Sequence, residues 1–548
     1  MSRLTTLRIA ASLAAAAACA TPWTALALPG GLVLLLLPGA SFLEVAGDRP
    51  TARRPWTALV AALLLVPLPL ALLWRFTNDR WAVLAVLLLV NVVLALLAAR
   101  WPAKSSANLP AEPIRPADAS RGDTMLAALC ALVFLLVLAT LWLPRAFDRT
   151  ATQGAHDYVK HHALLLSLEL YPLPLRNVFY AGEPQTPYYY YEVHYYLAAA
   201  LRKATDDRIS IALAFGLMAG LMAAGAVGLV ARLGEELGGA WQVGVLAAVC
   251  ASLVGGWDIL AAGVRMIATR DAVIILDSWC PTPWRAHNLM TQYVWCPQHV
   301  AAAAGLLRAA VWLRAAPRSW RWAIFAPLLG AAIFGASAYL AMLFFPAAGL
   351  YVLLRLWSVR GDAGRLRGEL TVLGASLLGG LLLMLPQALG YADMAGRFPG
   401  GLTTDWARFD YAVLGRIAPP GPLANYLDAW WILLIDFGVL GVGLALAGRA
   451  LWSRLWHEDG TRLLLLAGVI GTVAMFTFRS SINPFDYGFR IGVKPLQFLG
   501  AACAAVLIWR AWQARHRQPA PAILVGPAAA PGPPVGLYEA PLAALRSL

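Results

Sequence analysis

Long uninterrupted apolar runs constrain this chain more than any other feature of its sequence. The strongest runs each approach the roughly 20 residues that an α-helix needs to cross a bilayer. They occupy residues 81–99, 124–142, 209–231, 429–447 and 491–509. Backbone polar groups in hydrocarbon must be paired within the protein, and a run of this length achieves that as a helix. Because the alternating pattern of membrane-spanning strands is absent, the sequence predicts an all-α, polytopic integral membrane protein.

Weaker or shorter apolar runs raise the expected number of transmembrane helices to about 14. Two lie within 7–44, and the others lie at 57–74, 242–256, 295–313, 322–335, 337–354, 370–388 and 463–478. The composition agrees, because 60% of the residues are hydrophobic and only 13% are charged. Soluble domains carry roughly 25% charged residues.

The arginines of the short linkers predict how the chain is oriented in the membrane. They cluster at 49–54, 100–121, 314–321, 355–367 and 449–462. The positive-inside rule places these linkers and both termini in the cytoplasm. The loops at 144–207, 257–294, 389–428 and 479–490 then face the outside. These arginines account for the net charge of +14, and no groove-binding motif is present, so nucleic acid is not an expected partner.

The chain is expected to have three parts. Residues 1–123 hold four spans and a cytoplasmic linker, and residues 124–510 form the main transmembrane core. Residues 511–548, rich in Pro, Ala and Gly, are predicted to be a disordered cytoplasmic tail. The N-terminus resembles a signal peptide, but the apolar run at 31–40 follows at once, which favours an uncleaved first hairpin.

Two of the six cysteines lie in or beside one predicted outside loop. A disulfide between Cys280 and Cys296 can persist there. Sequence spacing does not show whether their Cα atoms approach within about 7 Å, so the bridged and free forms both stay open.

The most chemically informative segment is the first outside loop, which contains the sequence AHDYVKHH at 155–162. In a helix, Asp157 shares a face with Lys160 and His161, and His156 lies one turn from Lys160. A carboxylate beside a lysine and imidazoles can be tuned as a general base. Alternatively, the segment is a surface helix whose charges face lipid headgroups. Zinc is a third interpretation, but the His-x-x-x-His spacing is missing, and no metal is predicted.

A block of tyrosines follows in the same loop, as YYYYEVHYY at 188–196. Tyrosines favour the membrane interface, so this block is either an aromatic belt or the wall of a portal for a lipid chain. His194 and Glu192 are the two residues within the block that a belt does not require.

Further polar residues occur where later spans begin. One such span starts with the sequence WCPQH: Gln298 and His299 lie at its beginning, and Arg285 precedes it. For these residues, a ligand-binding role and a structural hydrogen-bonding role are both open. Arg490 and Lys494 lie one turn apart at the outer end of the final span. Two such cations suit a phosphate group, or they extend to lipid headgroups. Asp436 lies within a span, where an acid is either functional or bonded to a neighbouring helix.

Taken together, these residues resemble the GT-C superfamily of polytopic membrane glycosyltransferases over about 124–510. The resemblance rests on His156-Asp157 in the first large outside loop and on Arg490 and Lys494 at the opening of a late span. The segment YYYYEVHYYLAA and the span opening at 297–299 are also similar to uncharacterised GT-C-like bacterial membrane proteins.

The resemblance implies an inverting glycosyltransferase at the outer face of a bacterial cytoplasmic membrane. Its donor would be a polyprenyl-phosphate-linked sugar, its acceptor an unidentified glycan, lipid or protein, and no cofactor is implied. Asp157 would be the base, while Arg490 and Lys494 would stabilise the departing phosphate. A substrate-binding set would comprise His156, Lys160, His161, His194, Arg285, Gln298, His299, Arg490 and Lys494. Alternatives are a transporter or flippase of a lipid-linked glycan, and a non-catalytic lipid-binding scaffold.

Overall fold

The computed structural model describes residues 3–47, 54–101, 116–147, 155–176, 192–253, 296–315, 320–397, 402–404, 422–480 and 494–516. These residues form helices throughout, apart from short connections and one pair of three-residue strands. The helices are α1 (Arg3–Ala20), α2 (Thr24–Ala46), α3 (Arg54–Leu65), α4 (Pro67–Trp74), α5 (Arg80–Arg100), α6 (Pro116–Phe147), α7 (Ala155–Leu170), α8 (Val193–Ala204), α9 (Ile211–Gly238), α10 (Trp241–Leu253), α11 (Pro297–Ala315), α12 (Trp322–Ala336), α13 (Ala338–Val359), α14 (Ala363–Arg397), α15 (Pro422–His457), α16 (Asp459–Thr477) and α17 (Lys494–His516).

The prediction of an all-α polytopic membrane protein is confirmed. Within the described ranges, nine helical segments are long and apolar enough to cross a membrane, and two shorter apolar helices lie at Trp241–Ser252 and Trp322–Ala336. The total of about 14 spans and the orientation of the termini stay predictions. Spans α3 and α4 together cover the predicted run at 57–74 and are separated near Pro67, whose missing N–H interrupts the helical ladder.

One end of the bundle, here called the loop end, carries α7 and α8. The indole of Trp74, at the end of α4, donates to the Leu168 carbonyl of α7 at 2.8 Å. The Leu173 N–H donates back to the Trp74 carbonyl, also at 2.8 Å. Beyond α8, Asp206 forms a 3.0 Å salt bridge with Arg80 at the start of α5. Both short helices are therefore fastened to the ends of transmembrane helices.

The opposite end is rich in arginines and is here called the arginine end. Arg8 of α1 binds Glu44 of α2 through two hydrogen bonds of 2.7 and 2.8 Å. Arg355 of α13 contacts acids of α14 and α16, and Arg454 of α15 donates to the Leu237 carbonyl of α9 at 2.9 Å. The grouping of these arginines at one end agrees with the pattern predicted from the linkers.

The centre of the bundle is α9, which is buried along most of its length. It contacts α3, α6, α8, α10, α11 and α17. Its many small residues allow close approach, since a Cβ added at Gly228 would lie 2.3 Å from the ring of Trp56. Small residues at helix contacts are the usual means of tight packing in membranes, where burial of apolar surface gives no net driving force between helices.

By contrast, α14 exposes most of its apolar residues, including Leu381, Leu382 and Leu389. It packs on α12, where a Cβ added at Gly379 would lie 3.2 Å from the ring of Pro327. Beyond it, β1 (Leu402–Thr404) pairs antiparallel with β2 (Phe478–Ser480). This pairing brings together two segments at the loop end that are far apart in the sequence.

Candidate functional site

The segment that carries Asp157 is the helix α7, as the spacing argument assumed. Asp157 and His156 belong to its first turn, but their side chains lie outside the described residues. Lys160 is half-buried. The far end of α7 is fixed by Asn78, whose amide donates to the Glu169 carbonyl at 2.6 Å, and by the salt bridge from Arg202 of α8 to the Glu169 carboxylate.

Three histidines surround one phenylalanine where α7, α8 and α9 meet. His161 stacks on Phe215 with ring centroids 5.1 Å apart, while His162 and His194 meet the same ring edge-on at 6.2 and 5.8 Å. The ring of Tyr195 is parallel to that of Phe215 at 6.1 Å, and its hydroxyl forms a short hydrogen bond with Nδ1 of His161. We call these five residues the histidine–aromatic cluster.

His194 is the most unusual member of the histidine–aromatic cluster. Its side chain is 2% exposed, and neither ring nitrogen has a hydrogen-bond partner within the described part of the chain. Burial disfavours the imidazolium and lowers the pKa of His194 to about 4. The ring is therefore neutral at pH 7 and offers one donor and one acceptor nitrogen to a ligand.

Acid is expected to destabilise the protein through His194. The unfolded state takes up a proton below the ordinary pKa of 6.5, whereas the folded state resists protonation down to about 4. The contribution of His194 to the free energy of unfolding is therefore fully present above pH 6.5. It is lost as the pH falls toward 4. At pH 5 the loss should be about 2 kcal/mol relative to a His194→Gln variant. Thermal unfolding of both proteins in detergent at pH 7.5 and 5 measures this difference, because all other titrating groups are shared. Parallel pH profiles would show that His194 does not titrate in this way.

The interpretation of the tyrosine block as an interfacial belt is wrong for its last two members. Tyr195 and Tyr196 are at most 1% exposed and belong to the protein core. Tyr196 donates to Glu192 at 2.8 Å and its ring lies 5.7 Å from that of Trp74. The remaining tyrosines, 188–191, lie outside the described residues. Packing against α4 and α9 thus takes the place of contact with headgroups.

Glu192 is a further candidate residue, to which the sequence alone assigned no role. Burial raises the pKa of its carboxyl group to about 7, against the opposing effects of the Tyr196 hydrogen bond and of Arg75. It lines a cavity of about 500 Å³ together with Arg75 and Gln387. The i,i+4 spacing of Glu192 and Tyr196 in the sequence could have indicated their contact. The proximity of Arg75 and Gln387 is visible only in the tertiary structure.

Gln298 and His299 lie in the first turn of α11 and are 2% and 3% exposed. His299 shares a 2.8 Å hydrogen bond with the Ser337 hydroxyl, the N-cap of α13. Both side chains are therefore enclosed by protein. The oxygen of the Gln298 amide has no hydrogen-bond partner among the described residues. Arg285 and Cys280 lie outside those residues, so the bridged and free forms of the buried Cys296 both stay open.

Lys494 is the first residue of α17 and has no exposed surface. Its ammonium group is therefore enclosed by protein and does not extend to lipid headgroups, which excludes that alternative for this residue. Gln497, one turn on, is 4% exposed. Between them, Leu496 packs on Gly468 of α16, where an added Cβ would lie 2.4 Å from its side chain. Arg490 lies outside the described residues.

Several of these regions are contiguous at the loop end. A Cβ added at Gly335 of α12 would lie 2.2 Å from Val193, the neighbour of His194, and 3.0 Å from the amide of Gln387. Two residues further on, Ser337 binds His299. The cavity beside Glu192, the start of α8 and the start of α11 are thus adjacent. Helix α17, which carries Lys494, contacts both α9 and α11.

Two other sequence candidates concern metal binding and the acid within a span. Among the described residues, no group of three His, Cys, Asp or Glu side chains is arranged to hold a metal ion. Asp436 belongs to α15, but its side chain lies outside the described set. Two residues later Gly438 interrupts that helix with φ 37° and ψ −122°, a conformation that side chains with a Cβ rarely adopt.

Comparison with known proteins agrees with the membrane fold. A protein family described as an uncharacterized membrane protein (DUF2298) matches residues 68–284, which run from α4 through α10. That stretch contains α7, α8 and the histidine–aromatic cluster. No curated protein and no solved structure matches the chain. The protein is therefore a multi-pass membrane protein, in contact with membrane lipids and similar over these residues to that family.

Proposed function

We propose that this protein is a GT-C-type glycosyltransferase of the bacterial cytoplasmic membrane. It would move a sugar from a polyprenyl-phosphate-linked donor to an acceptor glycan, lipid or protein at the outer face. The observation that supports this proposal is that His161, His194, Gln298 and His299 lie close together at the loop end, and that Lys494 begins the helix α17, which contacts α9 and α11. These residues come from separate stretches of the chain, and all are at least nine-tenths buried.

A buried site of this composition suits the departure of a phosphate. Charge develops on the phosphate oxygens as the bond to the sugar breaks, and an enclosed cation such as Lys494 stabilises that charge more strongly than it would in water. Arg490 would assist, and Asp157 would accept the proton of the acceptor hydroxyl. The neutral imidazole of His194 and the Gln298 amide can bind sugar hydroxyls without adding charge.

The proposed orientation explains why the donor must be a lipid. Nucleotide sugars are cytoplasmic, so an enzyme whose site opens outside needs a donor carried across the membrane on a lipid. In this arrangement both termini and the arginine end are cytoplasmic, residues 124–510 form the catalytic core, and residues 511–548 form a cytoplasmic tail.

Transport of a lipid-linked glycan is the second candidate function. The interruption of α15 at Gly438, two residues from Asp436, is the observation that favours it. Broken helices with nearby acids mark the binding sites of many transporters. The proximity of His161, His194 and His299 to one another at the loop end, and not in the middle of the bundle, favours the transferase instead.

The two functions differ in what a deletion strain accumulates. For a transferase, the strain should retain the sugar-linked polyprenyl phosphate on the outer leaflet and lose one sugar from an envelope glycan, and the wild-type gene should restore both. For a transporter, the accumulated lipid should remain on the inner leaflet. An unchanged lipid-linked sugar pool and an unchanged glycan profile would contradict both and favour a scaffold. Mass spectrometry of extracted lipids and glycans, with leaflet-specific labelling, measures these outcomes.

A further inference from the structure

The cavity beside Glu192 lies between the protein core and the most lipid-exposed helix. Its walls are the end of α4 at Arg75, the turn at Leu173 and Pro174, and residues 385–390 of α14. Its volume of about 500 Å³ falls within the range of small-molecule sites. We call it the α14 cleft.

The polar groups of the α14 cleft are one acid, one base and one amide. Glu192 contributes a carboxyl group that is held in place by the 2.8 Å hydrogen bond from Tyr196. Arg75 contributes a guanidinium group, and Gln387 an amide whose nitrogen donates to the Tyr391 hydroxyl at 3.3 Å. Arg75 and Glu192 form no salt bridge within 4.0 Å in this described region, so the guanidinium keeps donors for a ligand.

This set of groups selects among headgroup chemistries. A phosphate would place its negative charge beside the Glu192 carboxyl, which raises the cost of binding. A quaternary ammonium group is usually bound by aromatic faces, whereas the described lining of the cleft is aliphatic apart from its three polar residues. Neutral hydroxyl groups both donate and accept hydrogen bonds, and they match a carboxyl, a guanidinium and an amide together.

The apolar side of the cleft indicates how such a headgroup is carried. Leu385 and Leu389 line the cleft and are still 50% and 60% exposed. Leu381 and Leu382, in the preceding turn, are exposed as well. These leucines form a continuous apolar strip that leads from the cleft along α14. A hydrocarbon chain lying on this strip would keep its headgroup in the cleft while remaining in contact with lipid.

We propose that the α14 cleft binds the neutral, hydroxylated headgroup of a lipid whose chain lies along α14. Glu192, Arg75 and Gln387 hydrogen-bond the headgroup hydroxyls. This site goes beyond the proposed transfer reaction, because it concerns a neutral lipid and is formed by residues other than those assigned to the phosphate. It holds whether or not the protein transfers a sugar.

Photolabelling of the purified full-length protein in phosphatidylcholine nanodiscs tests this proposal. The probe is a dodecyl glucoside with a diazirine near the head of its alkyl chain, and dodecyl phosphate and dodecyltrimethylammonium probes carry the same diazirine. We expect the glucoside to label peptides from residues 381–392 preferentially. Glu192→Ala and Arg75→Ala should each reduce that labelling by about tenfold, the loss expected when one or two hydrogen bonds to a charged partner are removed.

The matched controls are Asp362→Ala and Arg360→Ala, which change an exposed acid and an exposed base at the arginine end. Both should leave labelling unchanged. Glu192→Gln keeps a hydrogen-bonding side chain of the same shape and should retain much of the labelling. If Glu192→Ala does not fold, the exposed Arg75→Ala variant decides the outcome. Stronger labelling by the phosphate or ammonium probe, or equal labelling of all variants, would overturn the proposal.

Discussion

Replacement of Asp157 by asparagine is expected to lower sugar transfer by about 10²- to 10⁴-fold, the range that a positioned general base contributes. Asparagine keeps the size and hydrogen-bonding capacity of the side chain but cannot accept the proton of the acceptor hydroxyl. Transfer is measured in membranes of the deletion strain, and the donor is the lipid-linked sugar that this strain should retain if the proposed transferase function holds. The amount of wild-type and variant protein in the membranes is matched by immunoblotting.

Asp148→Asn is the matched control, because Asp148 is the other acid near the start of the same loop. It should retain near wild-type transfer. Asp157 belongs to the first turn of α7, where an acid stabilises the helix by roughly 0.3–1 kcal/mol, so the variant should remain folded with only a small loss of thermal stability. Full transfer by Asp157→Asn together with loss of transfer by Asp148→Asn would show that the base is Asp148.

The largest effect on stability is expected for Arg355→Ala. The Arg355 side chain is 8% exposed and joins the helices α13, α14 and α16. Its Nε donates to Glu369 of α14 at 2.8 Å, a second and shorter hydrogen bond reaches the same carboxylate, and Nη1 donates to Asp459 of α16 at 3.4 Å. Removal of the guanidinium takes its hydrogen bonds away from two partly buried carboxylates. Hydrogen bonds to charged groups contribute about 1.5–3 kcal/mol each, and thermal unfolding in detergent at pH 7.5 will show their loss as a lower midpoint.

Arg365→Ala tests whether any lost salt bridge has the same effect. Arg365 pairs with Asp362 at 3.7 Å, but its side chain is 78% exposed. Exposed salt bridges contribute about 0–1 kcal/mol, so the thermal unfolding midpoint of the Arg365→Ala variant should hardly differ from that of the wild type. If the two variants unfolded at the same temperature, burial of the Arg355 contacts would not be what makes them strong.

Hydropathy was sufficient to predict the membrane fold, because a bilayer accepts very few backbone solutions. The runs at 81–99 and 337–354 correspond to α5 and α13 within a few residues. Helix ends were less accurate where a span continues beyond the hydrocarbon: α14 begins seven residues before the predicted run at 370, since Ala363–Glu369 is polar but helical. The helix that was assumed for residues 155–162 is present as α7.

What the sequence did not predict is which polar residues face protein. For Tyr195, His161 and Lys494 the sequence left a position at the membrane interface open beside a binding role, because their chemistry suits headgroups as well as a protein site. Only the packing of α7, α8 and α9 around Phe215 shows that two of them are enclosed. The same holds for Glu192: its helical neighbour Tyr196 is readable from the spacing, but Arg75 and Gln387 come from distant segments. Hydropathy describes each helix alone, whereas burial depends on the neighbours it acquires.

The burial of α9 has a consequence for how the protein is made. This helix enters the membrane long before α11 and α17 are synthesised, yet both pack against it in the finished bundle. Until they arrive, its small-residue face must be covered by lipid or by an insertion factor. A ribosome that stalls before residue 494 would therefore release a chain with an open groove along its central helix, a form that quality-control proteases of the membrane could recognise.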